Sequence, residues 1–284
     1  MRQGVDVAHA EATADEAALD RAVELLQGRF AVLTGAGIST DSGIPDYRGA
    51  GAPKTTPMTI QQFLSAEPFR QRYWAGSYLG WARFVGAAPN PGHGALADLE
   101  ASGRVTGVVT QNVDGLHGKA GSRHVVEVHG SVDRVLCLDC GQSFARASIA
   151  ERIEAANAWF VGGGTVVPNP DGDADVGDVS EFVVPDCTVC GGVLKPDVVF
   201  FGEFVPTERF VEASAIVKRS DALLVAGSSL AVNSGIRLLE QARRRKLPIV
   251  VVNRGPTKGD RVAALKLDAG TSETLTALRD RLAG

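Results

Sequence analysis

Phe30-Ala-Val-Leu-Thr34 runs without a break into Gly35-Ala-Gly-Ile-Ser-Thr40, and this stretch decides how the rest of the chain is read. The apolar run is too short for a helix and has the β-branched and aromatic content of a strand covered on both faces. At its end, Gly35 permits a tight turn and Gly37 lets backbone approach a pyrophosphate. Free N–H groups at the start of a following helix would meet the phosphate charge. Thr40 stands where the third glycine of G-x-G-x-x-G belongs, so the loop alone is equally an ordinary glycine turn.

Working outward, Thr13 and Glu16 have the spacing of a capping box. Leu19, Val23 and Leu26 then line one helical face, and Gly28 supplies a stop. Further strands are expected at Val105–Thr110, 125–128, Ala222–Ala226 and Ile249–Val252, with a short edge strand at Leu265–Leu267. Amphipathic stretches at 93–101 and 234–246 are long enough for crossover helices. Apolar strands alternating with helices imply an α/β fold, a Rossmann-like parallel sheet with helices on both faces.

Two stretches break the rhythm. Residues 53–91 are aromatic-rich and helical in pattern, and residues 137–190 hold every cysteine. The 284 residues allow about two domains at roughly 100–200 residues each. We expect residues 1–52, 92–130 and 195–284 to form the Rossmann-like domain. Residues 53–91, helical in pattern, and 131–194, which hold every cysteine, are two insertions that would fold back together as one small inserted domain.

A net charge of -4 argues against sequence-specific nucleic acid as a partner. No apolar run approaches the roughly 20 residues that span a bilayer, so no membrane partner is expected. The acidic N-terminal stretch has neither a basic nor an apolar signal region, and a cytoplasmic location is expected. Residues 162–177 read as an exposed loop. Their Asp171, Asp173 and Asp175 resemble a calcium loop, but Val176 and Phe182 stand where Gly and a bidentate Glu are required. The basic run from Arg243 to Lys246 lies at a predicted helix C-terminus, where cations complement the dipole.

Cys137-Leu-Asp-Cys140 and Cys187-Thr-Val-Cys190 use all 4 cysteines. Two residues between thiolates let both sulfurs reach one ion, and four thiolates close a tetrahedral Zn2+ shell, so a single structural zinc is expected. Gly141 and Gly191 follow each pair and let the turns tighten. A redox pair would need one C-x-x-C only, and disulfides do not suit a reducing compartment.

Polar residues cluster after the other predicted strands: Gln111-Asn112-Val113-Asp114, His129-Gly130, Gly227-Ser228-Ser229 and Asn253-Arg254-Gly255. In a doubly wound sheet those ends gather along one ligand-binding crevice.

On these motifs, together with Gly43-Ile-Pro-Asp-Tyr-Arg48, Thr110 to His117 and Lys195-Pro-Asp-Val-Val-Phe-Phe-Gly-Glu203, the chain resembles the sirtuins, NAD-dependent protein-lysine deacylases. The match runs in family order over about residues 26–268. Arg70-Gln-Arg-Tyr-Trp74 and Val135 to Cys140 are most similar to the class II branch, which includes the mitochondrial sirtuin four of animals, while the acidic N-terminus points to a bacterial relative.

The resemblance implies that NAD is the co-substrate, held by Gly35, Ala36, Gly37, Ser39, Asp46, Tyr47, Arg48, Gln111, Asn112 and Asp114. Gly227, Ser228, Ser229, Asn253, Arg254, Gly255 and Thr271 would complete its site. It implies His129 and Asn112 as catalytic residues, with His129 taking a proton from a ribose hydroxyl near neutral pH, a role worth roughly 10²–10⁴-fold. The products would be nicotinamide, free lysine and O-acyl-ADP-ribose.

Acyl-lysine protein substrates would pair their backbone with Val198, Phe200, Phe201, Gly202 and Glu203 by strand addition. His117 is expected to support its loop; His9, His93 and His124 have no assigned role. Relatives that remove succinyl or malonyl groups carry Tyr-x-x-Arg, absent from residues 53–91, which disfavours short acidic acyl groups. Protein ADP-ribosylation and a non-catalytic NAD-responsive binding module are the alternatives.

Overall fold

The computed structural model describes residues 14–47, 57–160 and 176–283. Helix α1 (Glu16–Leu25) leads into strand β1 (Phe30–Thr34). Its cap is Asp15, whose carboxylate accepts the Ala17 N–H at 3.2 Å; Thr13 lies outside the described residues. Gly28 is not a left-handed stop. A Cβ there would sit 2.8 Å from the Asp221 carboxylate, which also accepts the Arg29 N–H.

After β1 come two 3-10 turns, Ala36–Ile38 and Thr40–Ser42. Helices α2 (Ile60–Ser65), α3 (Glu67–Gly86) and α4 (Pro91–Ala101) precede β2 (Val105–Thr110), α5 (Leu116–Lys119) and β3 (Val125–Glu127). Then follow β4 (Gly130–Cys137), β5 (Ser143–Ala145), α6 (Arg146–Ala156) and β6 (Leu194–Val198). The chain closes with α7 (Thr207–Lys218), β7 (Ala222–Ala226), α8 (Asn233–Arg244), β8 (Ile249–Val252), β9 (Leu265–Leu267) and α9 (Thr271–Leu282).

Six strands form one parallel sheet in the order β3-β2-β1-β7-β8-β9. Counted along the chain within that sheet this is 3-2-1-4-5-6, the doubly wound order, and it reverses between β1 and β7. Side chains alternate across β1: Phe30 and Val32 face the core shared with α1, α4 and α9, while Ala31 and Leu33 face α7 and α8. Each fully buried Leu or Val in these layers contributes about 1.5–3 kcal/mol.

Two local choices sharpen the helix ends. Asn90 caps α4 in a capping box closed by His93, with Pro91 at the first position, so the helix starts two residues before the periodicity does. At the end of α8, Arg245 donates to the Val217 and Ser220 carbonyls, tying the basic run to α7.

Strands β5-β4-β6 form a second, antiparallel sheet. Residues 195–198 therefore pair with β4, outside the six-stranded parallel sheet. The strand ends at Val198, and the Phe200–Glu203 turn with Gly202 (φ 79°) follows it. Phe63, Tyr73, Trp74 and Phe84 of α2 and α3 share one core with Val135, Ile149, Ile153 and Phe182 of the cysteine-bearing segment. In that core the buried Arg146 guanidinium lies between the Trp74 and Trp81 rings, 5.1 and 5.0 Å from their centroids.

Candidate active site and metal centre

The two cysteine pairs occupy matching knuckles. Cys137 N–H donates to the Gln142 carbonyl and Cys187 N–H to that of Gly192, both at 2.9 Å. Gly141 (φ 73°) and Gly191 (φ 74°) then return their N–H groups to the Cys137 and Cys187 carbonyls. This closes both turns as their spacing predicts.

The sulfurs converge: Cys137 to Cys190 is 3.5 Å, Cys140 to Cys187 is 3.8 Å, and all four lie within 4.8 Å. A tetrahedron with Zn–S bonds of about 2.3 Å has sulfur edges of about 3.8 Å. The backbone N–H of Cys140 draws the Cys137 thiol down to about 7, while sharing hydrogen bonds with Cys140 pushes Cys190 up to about 12. Four thiolates this close cannot ionise together without a cation, so the donor set fits one zinc with no position left for water.

The crevice opens where the strand order reverses. Gly37 N–H donates to the Gly227 carbonyl at 2.8 Å, and Gly35 N–H to that of Ala226 at 3.3 Å. Gly35 is extended (φ -138°), so the tight-turn argument does not apply to it. Its missing side chain, and that of Gly37, make room for Gly227 and Ser228: a Cβ on Gly35 would meet Ser228 Cβ at 2.9 Å, and one on Gly37 the Gly227 carbonyl at 2.9 Å.

The helix expected after this loop is absent. Gly43 (φ 81°) ends the second 3-10 turn and Pro45 follows, so among the described residues only short 3-10 turns continue from the loop. Thr271, at the start of α9, reaches the loop from the far side and donates from Oγ1 to the Gly37 carbonyl at 3.3 Å.

Ser39, fully buried, joins the second wall: its Oγ donates to Asp114 at 2.7 Å and accepts from Asn112 Nδ2 at 3.0 Å. Asp114 also accepts the Leu116 N–H, so its carboxylate is held by both neighbours. Asn253 turns back onto its own loop, donating to the Arg254 and Gly255 carbonyls, and Gly255 is left-handed (φ 77°). Arg254 is exposed and lies against Gly270 at the foot of α9, while Ser229 carries the Lys258 N–H on its carbonyl. Asp46 and Tyr47 follow Pro45 on the rim, where the Tyr47 ring meets Phe201 edge-on at 6.4 Å; Arg48 lies outside the described residues, as do Asp171 to Asp175.

His129, at the β3–β4 junction, is half-buried. Its Nδ1 lies 2.9 Å from the Gln111 carbonyl, which can only accept, so Nδ1 carries the proton. Nε2 is therefore an acceptor, and Ser234 Oγ stands 2.9 Å from it. Burial lowers the His129 pKa from its ordinary value, opposed by the Gln111 hydrogen bond. Ser234 carries no motif; its place at the start of α8 comes opposite His129 only through the packing of β7 and α8.

Behind this wall His117 is buried and bonds Thr34 Oγ1 at 2.9 Å, and its ring packs on His93. Desolvation pushes His117 down to about 3, so it is a neutral prop for the loop, as expected. His93 Nδ1 accepts the Asn90 N–H within the capping box.

On the substrate side, Phe200 is buried against Phe63 and Tyr73. Its N–H donates to Glu203, which pairs with the buried Lys195 at 3.0 Å. Phe201 is exposed, and its carbonyl accepts the Ile60 N–H in a short parallel bridge to Thr59. One backbone edge of this segment is thus already paired.

No helix among the described residues is long and apolar enough to cross a membrane. The model of the Sir2 family matches residues 35–234. The chain is 53% identical over 266 residues to NAD-dependent protein deacetylase 1 of Mycobacterium avium (strain 104), covering 92% of this chain and 94% of that protein. It is 46% identical over 256 residues to the human mitochondrial NAD-dependent protein lipoamidase sirtuin-4, covering 88% and 82%. A solved structure described as Sir2-p53 peptide-NAD+ superimposes with a TM-score of 0.76 at 30% identity, covering 93% of this chain and 98% of that one. By its family model and by these relatives, the chain belongs to the Sir2 family.

Proposed function

We propose that this protein is an NAD-dependent protein-lysine deacylase that passes the acyl group of a modified lysine to ADP-ribose and releases nicotinamide. One observation carries the reading: a neutral histidine with its proton fixed on Nδ1 stands at the edge of a crevice built from the loops after β1, β2 and β7. A crevice at the strand-order reversal is where doubly wound sheets bind dinucleotides.

NAD supplies the ribose that accepts the acyl group. Gly35, Ala36, Gly37, Gly227, Ser228, Ser229 and Thr271 would hold its phosphates and adjoining ribose. Asn253, Arg254 and Gly255 would meet the adenosine half. Ser39, Asn112 and Asp114, already cross-bonded, would line the nicotinamide side with Gln111, Asp46, Tyr47 and Arg48. His129 would accept a proton at Nε2, and its lowered pKa keeps it unprotonated near neutral pH.

The zinc centre clamps the start of β6 to the end of β4, which supports a structural role. Residues 53–91 and 131–194 act as one small domain on this reading; what supports it is their common core. The segment Val198 to Glu203 would bind the acyl-lysine backbone on its remaining edge, with Phe200 walling the acyl group. We place the protein in the cytoplasm, where four thiols would stay reduced for the metal.

The test mixes protein, NAD and acyl-lysine peptides carrying acetyl, lipoyl and succinyl groups, with mass-spectrometric detection of nicotinamide and O-acyl-ADP-ribose. Turnover of acetyl or lipoyl peptide but not succinyl peptide is expected. ADP-ribose appearing on protein instead would favour the transferase alternative. Replacement of His129 by Ala should abolish turnover while leaving NAD binding within about threefold, since the ring acts on the proton and not on the phosphates.

A further inference from the structure

Ser234 is the second residue of α8, two positions past the Val232 N-cap. Its side chain makes no capping hydrogen bond. The hydroxyl instead points across to the β2 loop, 2.9 Å from His129 Nε2 and 3.4 Å from Gln111 Nε2. The next residue is Gly235, where a Cβ would lie 3.2 Å from that Gln111 amide and 3.1 Å from Leu230 Cδ2. Serine supplies the hydroxyl and glycine the space beside it.

These groups form one continuous hydrogen-bond network. Leu230, in a left-handed conformation (φ 55°), donates its N–H to Ser228 Oγ at 3.2 Å. Ser228 Oγ donates to Gln111 Oε1 at 2.7 Å. With that oxygen accepting, the Gln111 amide nitrogen donates to Ser234 Oγ, and Ser234 gives its proton to His129 Nε2. His129 returns its Nδ1 proton to the Gln111 carbonyl. The Nδ1–H tautomer set by the Gln111 carbonyl leaves Nε2 of the neutral ring to accept from Ser234.

We infer that Ser234 is a positioning residue for His129, holding the ring as a neutral base by donating to its Nε2 until a substrate hydroxyl takes that place. The inference rests on the reading of His129 as the base. A hydroxyl that donates to Nε2 stabilises the unprotonated ring, so its loss favours the imidazolium. The charged groups on the elements around His129 include Glu127 of β3, Asp133 and Arg134 of β4, Asp114 of the β2 loop, Lys195 and Asp197 of β6, Arg209 of α7 and Arg237 of α8, and none of them contributes to its shift. Burial, opposed by the Gln111 carbonyl, accounts for the downward shift itself.

The test measures kcat/KM against pH with acetyl-lysine peptide and NAD for the full-length chain, Ser234→Ala, Ser234→Thr and His129→Ala. Ser234→Ala should move the acid limb up by about half to one pH unit, the effect of one lost neutral hydrogen bond, with KM for NAD changed less than about twofold. Ser234→Thr, which keeps the hydroxyl, should restore the limb. The 15N shifts of the imidazole nitrogens, tractable with 5 histidines, should show His129 leaving the Nδ1–H form at a higher pH in Ser234→Ala. An active His129→Ala enzyme would overturn the base assignment itself. An inactive His129→Ala enzyme alongside an unmoved limb and unmoved shifts in Ser234→Ala would overturn the positioning role alone.

Discussion

Gly227 and Gly37 lie back to back: the Gly37 N–H bonds the Gly227 carbonyl at 2.8 Å, and a Cβ on Gly227 would sit 2.3 Å from the Ile38 nitrogen. The contact joins the loops of β1 and β7 at the point where the sheet reverses its order, so it sets the floor of the crevice.

Gly227→Ala should therefore be costly twice over, since Gly227 also needs φ 64°. Backbone cannot retreat as a flexible side chain would, and a loss of more than about 2 kcal/mol is expected. Chemical denaturation would show it, and titration calorimetry should show NAD affinity falling by at least tenfold in whatever folds.

The cysteine centre predicts one zinc per chain by elemental analysis. Titration with a mercurial should release that one equivalent and abolish deacylation, because Cys137 and Leu194 are paired across β4 and β6 beside the metal. Cys140→Ser should lower the melting temperature and weaken zinc retention. Full activity after zinc release would contradict a structural role.

Stability should fall with acidity over a window set by His117. The folded chain keeps His117 neutral down to about 3, whereas the unfolded chain protonates it near its ordinary 6.5. Between those values the unfolded state binds one more proton, so each pH unit lost costs about 1.4 kcal/mol. Urea midpoints for His117→Asn should be lower than wild type at pH 7 yet decline less steeply toward pH 5. Equal slopes would show that His117 does not carry the effect.

Asp197 holds Arg209 at 2.6 Å and Arg134 at 3.0 Å, beside the Val199 N–H that bonds the His129 carbonyl. Asp197→Ala leaves two guanidinium groups facing each other. With Arg134 45% exposed, the cost should be about 1–3 kcal/mol, less than for a fully buried pair. Removing Arg134 as well should recover part of it, which a double-mutant cycle would read.

How much was legible beforehand depends on the range of the forces involved. Strands β1, β2, β7 and β8 were visible because both faces of each are buried, which demands a short apolar run whatever its neighbours. The zinc knuckles were visible because a tetrahedral ion dictates local spacing. The glycines were visible, but for another reason than the one that applies: Gly28, Gly35 and Gly37 accommodate Asp221, Ser228 and Gly227, nearly 200 residues away along the chain.

From the sequence alone came the parallel α/β class, the four-thiolate metal centre and the set of polar loops, each encoded in periodicity or short-range chemistry. The tertiary structure decided what lies opposite what. Leu194–Val198 joins the antiparallel sheet, Asp15 caps α1, and Ser234 faces His129. These are contacts across two packed elements, and a hydroxyl's partner depends on angstrom-scale placement that no local pattern of residues encodes.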